Sequence, residues 1–174
     1  ATLTAPSDVE AGARLEVSWD GPERDEDFIS LAPAGAPDDA YVAWSRVEGE
    51  EQAVLPVPAE PGGYELRYVD GESGEIRARQ PLEVLAVAVT LEIQATPAAG
   101  MRFDVHWTGP AASGDFLAIA ETTAPVHRYL DWASTSVGSP VTLAAPERAG
   151  TFEVRYVTQN GREILARVTI QVRQ

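Results

Sequence analysis

One stretch of this chain is written twice, in an ungapped register about 88 positions apart, and only a repeating architecture can satisfy both copies. Trp19-Asp20-Gly21-Pro22 returns as Trp107-Thr108-Gly109-Pro110, Asp27-Phe28 as Asp115-Phe116, and Ala36-Pro37 as Ala124-Pro125. Downstream, Tyr41 and Trp44 return as Tyr129 and Trp132, Gly62 as Gly150, and Arg67-Tyr68-Val69 as Arg155-Tyr156-Val157. About a third of the aligned positions are identical. The register divides the 174 residues into two domains, 1–86 and 87–174. A domain of that size hides only about 60 to 65% of its unfolded surface, so its core depends on aromatic weight. Four tryptophans and five tyrosines supply part of it.

Within each copy the apolar residues alternate in short runs instead of recurring at helical spacing, the pattern of half-buried strands. Leu15, Val17 and Trp19 alternate with Glu16 and Ser18, and their twins Phe103, Val105 and Trp107 with Asp104 and His106; a Gly-Pro turn ends both runs. Further strands are expected at Phe28 to Ala32, Tyr41 to Arg46, Ala53 to Val57 and Tyr64 to Val69, with twins at Phe116 to Ala120, Tyr129 to Ser134, Val141 to Ala145 and Phe152 to Val157. Asp70-Gly71 and Asn160-Gly161 are hairpin turn signals leading into last strands at Glu75 to Val84 and Glu163 to Val172. Strict alternation points Tyr64, Leu66 and Tyr68 inward and Glu65 and Arg67 outward, with Ile76, Ala78, Ile164 and Ala166 buried. Outward Glu65, Arg67, Glu75 and Arg79 can then form a charge ladder.

With an opening strand near Leu3 or Leu91, each copy holds about seven strands, which reads as all-β: two tandem immunoglobulin-like β-sandwiches. Gly62-Gly63-Tyr64-Glu65-Leu66 fits a tyrosine corner, and Phe152 in the second copy lacks the hydroxyl for one. The junction from Val84 to Leu91 reads VLAVAVTL, without the Gly or Ser of a flexible spacer, so a semi-rigid rod is expected.

Charge separates the copies more than anything else. The first holds nineteen acidic residues against six arginines and the second eight against seven, giving about −13 and −1 of the total −14. Such a field repels nucleic acid and anionic membranes and favours a basic partner, while also keeping the surface solvated. All thirteen basic residues are arginine. The absence of cysteine excludes disulfides, thiolate metal sites and thiol nucleophiles. No apolar stretch approaches the ~20 residues of a membrane span, so direct membrane insertion is not expected. Ala1 in place of Met points to a processed product or a piece of a larger chain.

Catalysis has little to draw on. His106 falls on an outward strand position and His127 in a loop, and their twins are Ser18 and Asp39, so neither a triad nor a two-histidine metal site is indicated. Asp25-Glu26-Asp27 and Asp38-Asp39 crowd carboxylates together without a calcium-loop pattern; the repeated Asp27 and Asp115 suit a structural role, accepting from backbone amides or pairing with Arg67. The candidates for ligand contact are Tyr41, Trp44, Tyr129 and Trp132. Opposite strand parity would turn one ring of each pair outward, where it could stack on a sugar or peptide. No catalytic residue, metal ligand or cofactor is assigned.

Several motifs taken together resemble a known family. They are a strand ending in Trp-x-Gly-Pro, Gly-Asp-Phe-Leu-Ala-Ile at 114–119, Tyr-x-x-Trp, Gly-Ser-Pro-Val-Thr-Leu at 138–143, Ala-Pro-x-x-x-Gly-x-Phe-Glu-Val-Arg-Tyr-Val at 145–157 and Ile-Leu-Ala-Arg at 164–167. This set is similar to the β-sandwich repeats in the C-terminal parts of bacterial von Willebrand factor type A domain proteins. The first copy departs from it at Gly49 to Gln52 and Arg24 to Glu26. The resemblance implies a periplasmic, cell-envelope or extracellular parent, in which such repeats are non-enzymatic modules for protein binding or spacing. Carbohydrate- or calcium-dependent adhesion is the alternative. It carries over no catalytic residues, and the Asp-x-Ser-x-Ser metal motif of the type A domain is absent.

Overall fold

The fold was taken from a computed structural model, which describes residues 1–22, 24–47, 52–159 and 163–174. Most of the Gly49 to Gln52 departure and the Asn160-Gly161 turn therefore lie outside the described residues. The chain forms two compact units, Ala1–Ala86 and Val87–Gln174. No described helix is long and apolar enough to cross a membrane.

In the first unit the alternating runs become β1 (Thr2–Thr4), β2 (Asp8–Glu10), β3 (Arg14–Asp20), β4 (Phe28–Pro33), β5 (Ala43–Arg46), β6 (Ala53–Pro56), β7 (Gly62–Val69) and β8 (Ile76–Leu85). One sheet has the order β1-β3-β6 and the other β2-β8-β7-β4-β5. The short β2, which pairs parallel with β8, has no alternation long enough to be seen in the sequence. The second unit repeats the plan with β9 (Thr90–Glu92), β10 (Arg102–Thr108), β11 (Phe116–Glu121), β12 (Asp131–Ser134), β13 (Val141–Ala144), β14 (Gly150–Val157) and β15 (Ile164–Val172). Its sheets run β13-β10-β9 and β12-β11-β14-β15. Each unit is an immunoglobulin-like sandwich.

Inward parity builds both cores. Leu15, Val17, Ile29, Leu31, Leu55, Leu66 and Tyr68 are sealed in the first, and Val105, Leu117, Ile119, Leu143, Val154 and Tyr156 in the second. Each fully buried aliphatic side chain contributes about 1.5–3 kcal/mol. The repeated Trp-x-Gly-Pro, Asp-Phe and Arg-Tyr-Val motifs meet at one lock. A Cβ on Gly21 would lie 2.9 Å from the Tyr68 ring, so only glycine lets that ring pass, and the Tyr68 hydroxyl then donates to buried Asp27 at 2.9 Å. Gly109, Tyr156 and Asp115 repeat the arrangement, with a hydroxyl to carboxylate distance of 2.8 Å. Asp27 also accepts from the Gly71 amide, so it takes the backbone role and does not pair with Arg67. Burial pushes the Asp115 carboxyl above its ordinary value despite its hydrogen bonds from Tyr156, Gln159 and Ala112.

Alternation misplaces one part of each hairpin. A bulge between Tyr68 and Val69 sets Ala78 opposite Tyr68 but Ile76 opposite Val69, and the same shift sets Ile164 opposite Val157. One extra residue reverses the parity. Ala166 therefore packs on the main core, whereas Ile164 joins Phe116, Ala118 and Val157 in a small cluster of its own on the outer face of the sheet. The expected tyrosine corner is present: Tyr64 donates to the Glu60 carbonyl at 3.0 Å. In the second unit Phe152 instead carries the Arg148 guanidinium 5.0 Å above its ring, a cation–π contact at the twin position of Glu60.

Candidate functional site

The outer face of the larger sheet carries the features that packing alone does not require. Phe28 opens β4 on that face, and Ser30 pairs in register with Trp44 of β5. Between these strands the chain leaves the sheet at Pro33 and folds back over it, turning through the bonds Ala36 N–H to Pro33 O and Ala40 N–H to Pro37 O, both 3.0 Å. What holds the loop down is Arg67. Its parity is outward as expected, but it is not exposed: the loop covers it completely. Its guanidinium donates to the carbonyls of Ala36 at 2.7 Å, Pro37 at 2.8 Å and Ala40 at 3.1 Å, while Nε donates to Glu65 at 2.8 Å. Arg155 does the same for the twin loop through Ala124 at 2.8 Å, Glu121 at 3.1 Å and Pro125 at 3.2 Å, beside Glu153. A buried guanidinium is tolerated when carbonyls and a carboxylate satisfy its donors. The repeated Ala-Pro and Arg are thus one device.

The expected charge ladder is only partly made. Arg79 joins Glu65 at 2.6 Å and Asp38 at 2.7 Å, whereas Glu75 reaches Arg77 at 3.7 Å, because the bulge moves it out of line with Arg79. Burial would raise the Glu65 carboxyl, but hydrogen bonds from Arg67 and Arg79 outweigh it and hold the group below its ordinary value. The Arg79 hydrogen bond lowers Asp38 as well.

The anchored loop delivers Tyr41 to the outer face just before β5 begins, and this changes the reading of the aromatic pair. Tyr41 lies outside the strand, so strand parity does not govern it, and both rings of each pair are exposed. Tyr41 is 42% and Trp44 52% accessible, with Tyr129 at 37% and Trp132 at 54%. They flank a common third ring that the sequence reading left out. Phe28 stands 5.7 Å from Tyr41 and 6.0 Å from Trp44, at interplanar angles of 59° and 75°. Phe116 stands 5.5 Å from Tyr129 and 5.9 Å from Trp132, at 58° and 75°. The repeat of Asp-Phe was the available signal for this ring.

In the first unit these rings wall a recess of about 280 Å³ completed by Glu26, Arg46 and Gly71. A second recess shares Glu26 and adds Arg24, Asp25, Asp27 and Glu72. Among the described residues no cluster of three His, Cys, Asp or Glu side chains could hold a metal ion. The two histidines are kept apart by topology, His106 on β10 and His127 in the loop leading to β12 of the other sheet. The surface is suited to stacking and polar contact.

No family profile and no curated protein sequence matches this chain. Among solved structures it is similar to the FN1-FN3 domains of chicken CNTN1, at 10% identity over 100% of this chain and 68% of that one, with a TM-score of 0.36. It is similar to FdeC, an Escherichia coli adhesin, at 17% identity over 99% and 63%, TM-score 0.37. A third likeness is to the D0-D1 domain of intimin, at 10% identity over 99% and 97%, TM-score 0.33. At such low identity these likenesses leave ligand and partner to the chemistry of the surface.

Proposed function

We propose that the chain is a non-enzymatic pair of immunoglobulin-like modules, part of a larger bacterial envelope or exported protein, that binds a protein partner through its aromatic shelves. The observation that carries this is the repeated trio of Phe28, Tyr41 and Trp44 with Phe116, Tyr129 and Trp132, kept at matching spacing with two rings of each trio exposed. A folding requirement would bury those rings, whereas half-exposed Tyr and Trp on a rigid sheet are what interfaces use as anchors. The motif resemblance to the type A domain repeats supports the envelope setting. Sugar stacking is the second reading, favoured by the open face of Trp44 and Trp132, each more than half accessible.

Replacing Trp44 and Trp132 separately with alanine tests the proposal. Each substitution is expected to lower stability by no more than about 1–1.5 kcal/mol, the value of an aromatic pair. Each should also weaken capture of a partner from native envelope extract. Loss of several kcal/mol in denaturant unfolding would make the rings structural and overturn the reading. Retention of a glycan in place of a protein on the same shelves would replace the first reading with the second.

A further inference from the structure

The shelves are alike in their rings and unlike in their rims, and one steric fact explains the difference. In the first unit a Cβ on Gly71 would sit 1.9 Å from the carbonyl oxygen of Glu26, so the hairpin turn must stay bare and the side chain at this contact comes from Glu26. In the second unit the assignment is reversed. Gly114, the twin of Glu26, has a positive φ of 86°, and a Cβ there would lie 2.7 Å from the Gln159 side chain, the twin of Gly71. The Glu26 main chain keeps the first hairpin bare and the Gln159 side chain crowds Gly114 in the second, so only the first unit places a carboxylate beside the rings.

Neighbouring positions follow suit. Asp25 and Glu72 of the first unit correspond to Ser113 and Asn160 of the second. Nearby arginines are engaged elsewhere, although Arg46 lines the same recess and offsets part of the charge. Arg24 and Arg77 are drawn to Asp70, and Arg46 donates to the Asp25 backbone carbonyl at 3.4 Å. Among the described residues Asp25, Glu26 and Glu72 make no ion pair.

We infer that the recess at Phe28, Tyr41 and Trp44 takes an arginine side chain of a basic protein partner, with the guanidinium against the rings and its donors turned to Glu26. This rests on the reading of the shelves as binding surfaces. A flat guanidinium stacks on aromatic faces and forks onto a carboxylate, which an ammonium does less well. The −13 charge of the first unit concentrates such a partner near the recess. Gly114, Ser134 and Gln159, the twins of Glu26, Arg46 and Gly71, carry no charge, which makes the second unit a built-in control.

Titration of the full chain with the peptide Ac-Gly-Arg-Gly-NH2, followed through the indole N–H signals of the four tryptophans, tests the inference. The neutral isostere with citrulline serves as the reference. Saturable movement of Trp44 but not Trp132 is expected, weaker by about fivefold or more with citrulline. Glu26→Gln should weaken binding by about threefold, and Arg46→Ser, which installs the twin's residue, should strengthen it by a similar factor. Equal response to citrulline, equal movement of Trp132, or no saturable movement of Trp44 overturns the inference. Thermal melts of the tryptophan variants keep the two proposals distinct. If Trp44→Ala and Trp132→Ala melt close to the parent while arginine shows no preference, the shelves survive as binding surfaces and only the arginine assignment falls.

Discussion

Both units hold a folded-over loop with a buried arginine and present three rings at spacings that agree within about 0.2 Å, yet their surroundings differ in charge and depth. In the first unit Glu65, partner of the loop-holding arginine, is 24% exposed and also receives Arg79 at 2.6 Å. In the second, Glu153 is 5% exposed, with Arg167 farther away at 3.6 Å. The same device is therefore an open, redundant network in one unit and a closed pair in the other.

Removing the arginine should show this contrast most strongly. Arg155→Met is expected to cost about 3–5 kcal/mol, because it leaves a buried carboxylate without its close partner and takes the guanidinium from three carbonyls, of which Glu121 and Pro125 keep the Ala124 and Arg128 amides. Arg67→Met should cost less, since Glu65 keeps Arg79. Denaturant unfolding of the two full-chain variants checks the order, and equal losses would show that the carbonyl contacts dominate in both. The next effect is steric. Gly71→Ala should destabilise the first unit by about 1–3 kcal/mol, as the added methyl meets the Glu26 backbone, which cannot swing aside as a side chain would. Urea midpoints of the variant and parent measure it.

The smallest effect is a difference in acid response. In the first unit Asp70 accepts from the Ser73 amide at 2.8 Å and pairs with Arg77; those contacts hold its carboxyl well below the ordinary 3.8. A depressed folded-state value means that this stabilisation is complete above pH 3.8 and is lost as pH falls below it. The twin, Thr158, accepts from the Glu163 amide at 3.0 Å and does not titrate as a carboxylate. Hydrogen-exchange protection at Ser73 should therefore fall on strong acidification while protection at Glu163 holds. Parallel losses at both amides would indicate general unfolding instead.

Much of the framework was legible in the residues. Alternation located the strands, Gly and Pro located most turns, and the repeat separated shared requirements from local variation. Tyr64 was recognisable as a corner tyrosine because its spacing to the preceding glycines is local. The rest depended on contacts between distant segments. The burial of Arg67 depends on a loop some thirty positions away, and a parity argument sees only its own strand. Tyr41 was misread for the same reason: its exposure follows from leaving the sheet before β5, a choice made by the Arg67 anchor. Phe28 was legible only as the start of a strand, and it stands between two exposed rings because the folded-over loop brings Tyr41 beside it.

The sequence by itself determined the duplication, the all-β sandwich plan and the charge asymmetry, because periodicity, turn chemistry and ionisable groups are properties of neighbouring residues. Tertiary structure alone decided that the repeated arginines are buried clamps, that the bulge turns Ile164 to the outer face, and that the Glu26 main chain leaves no room for a side chain at Gly71. These outcomes rest on steric exclusion and hydrogen-bond satisfaction between segments far apart in the chain, which only their approach in space can settle.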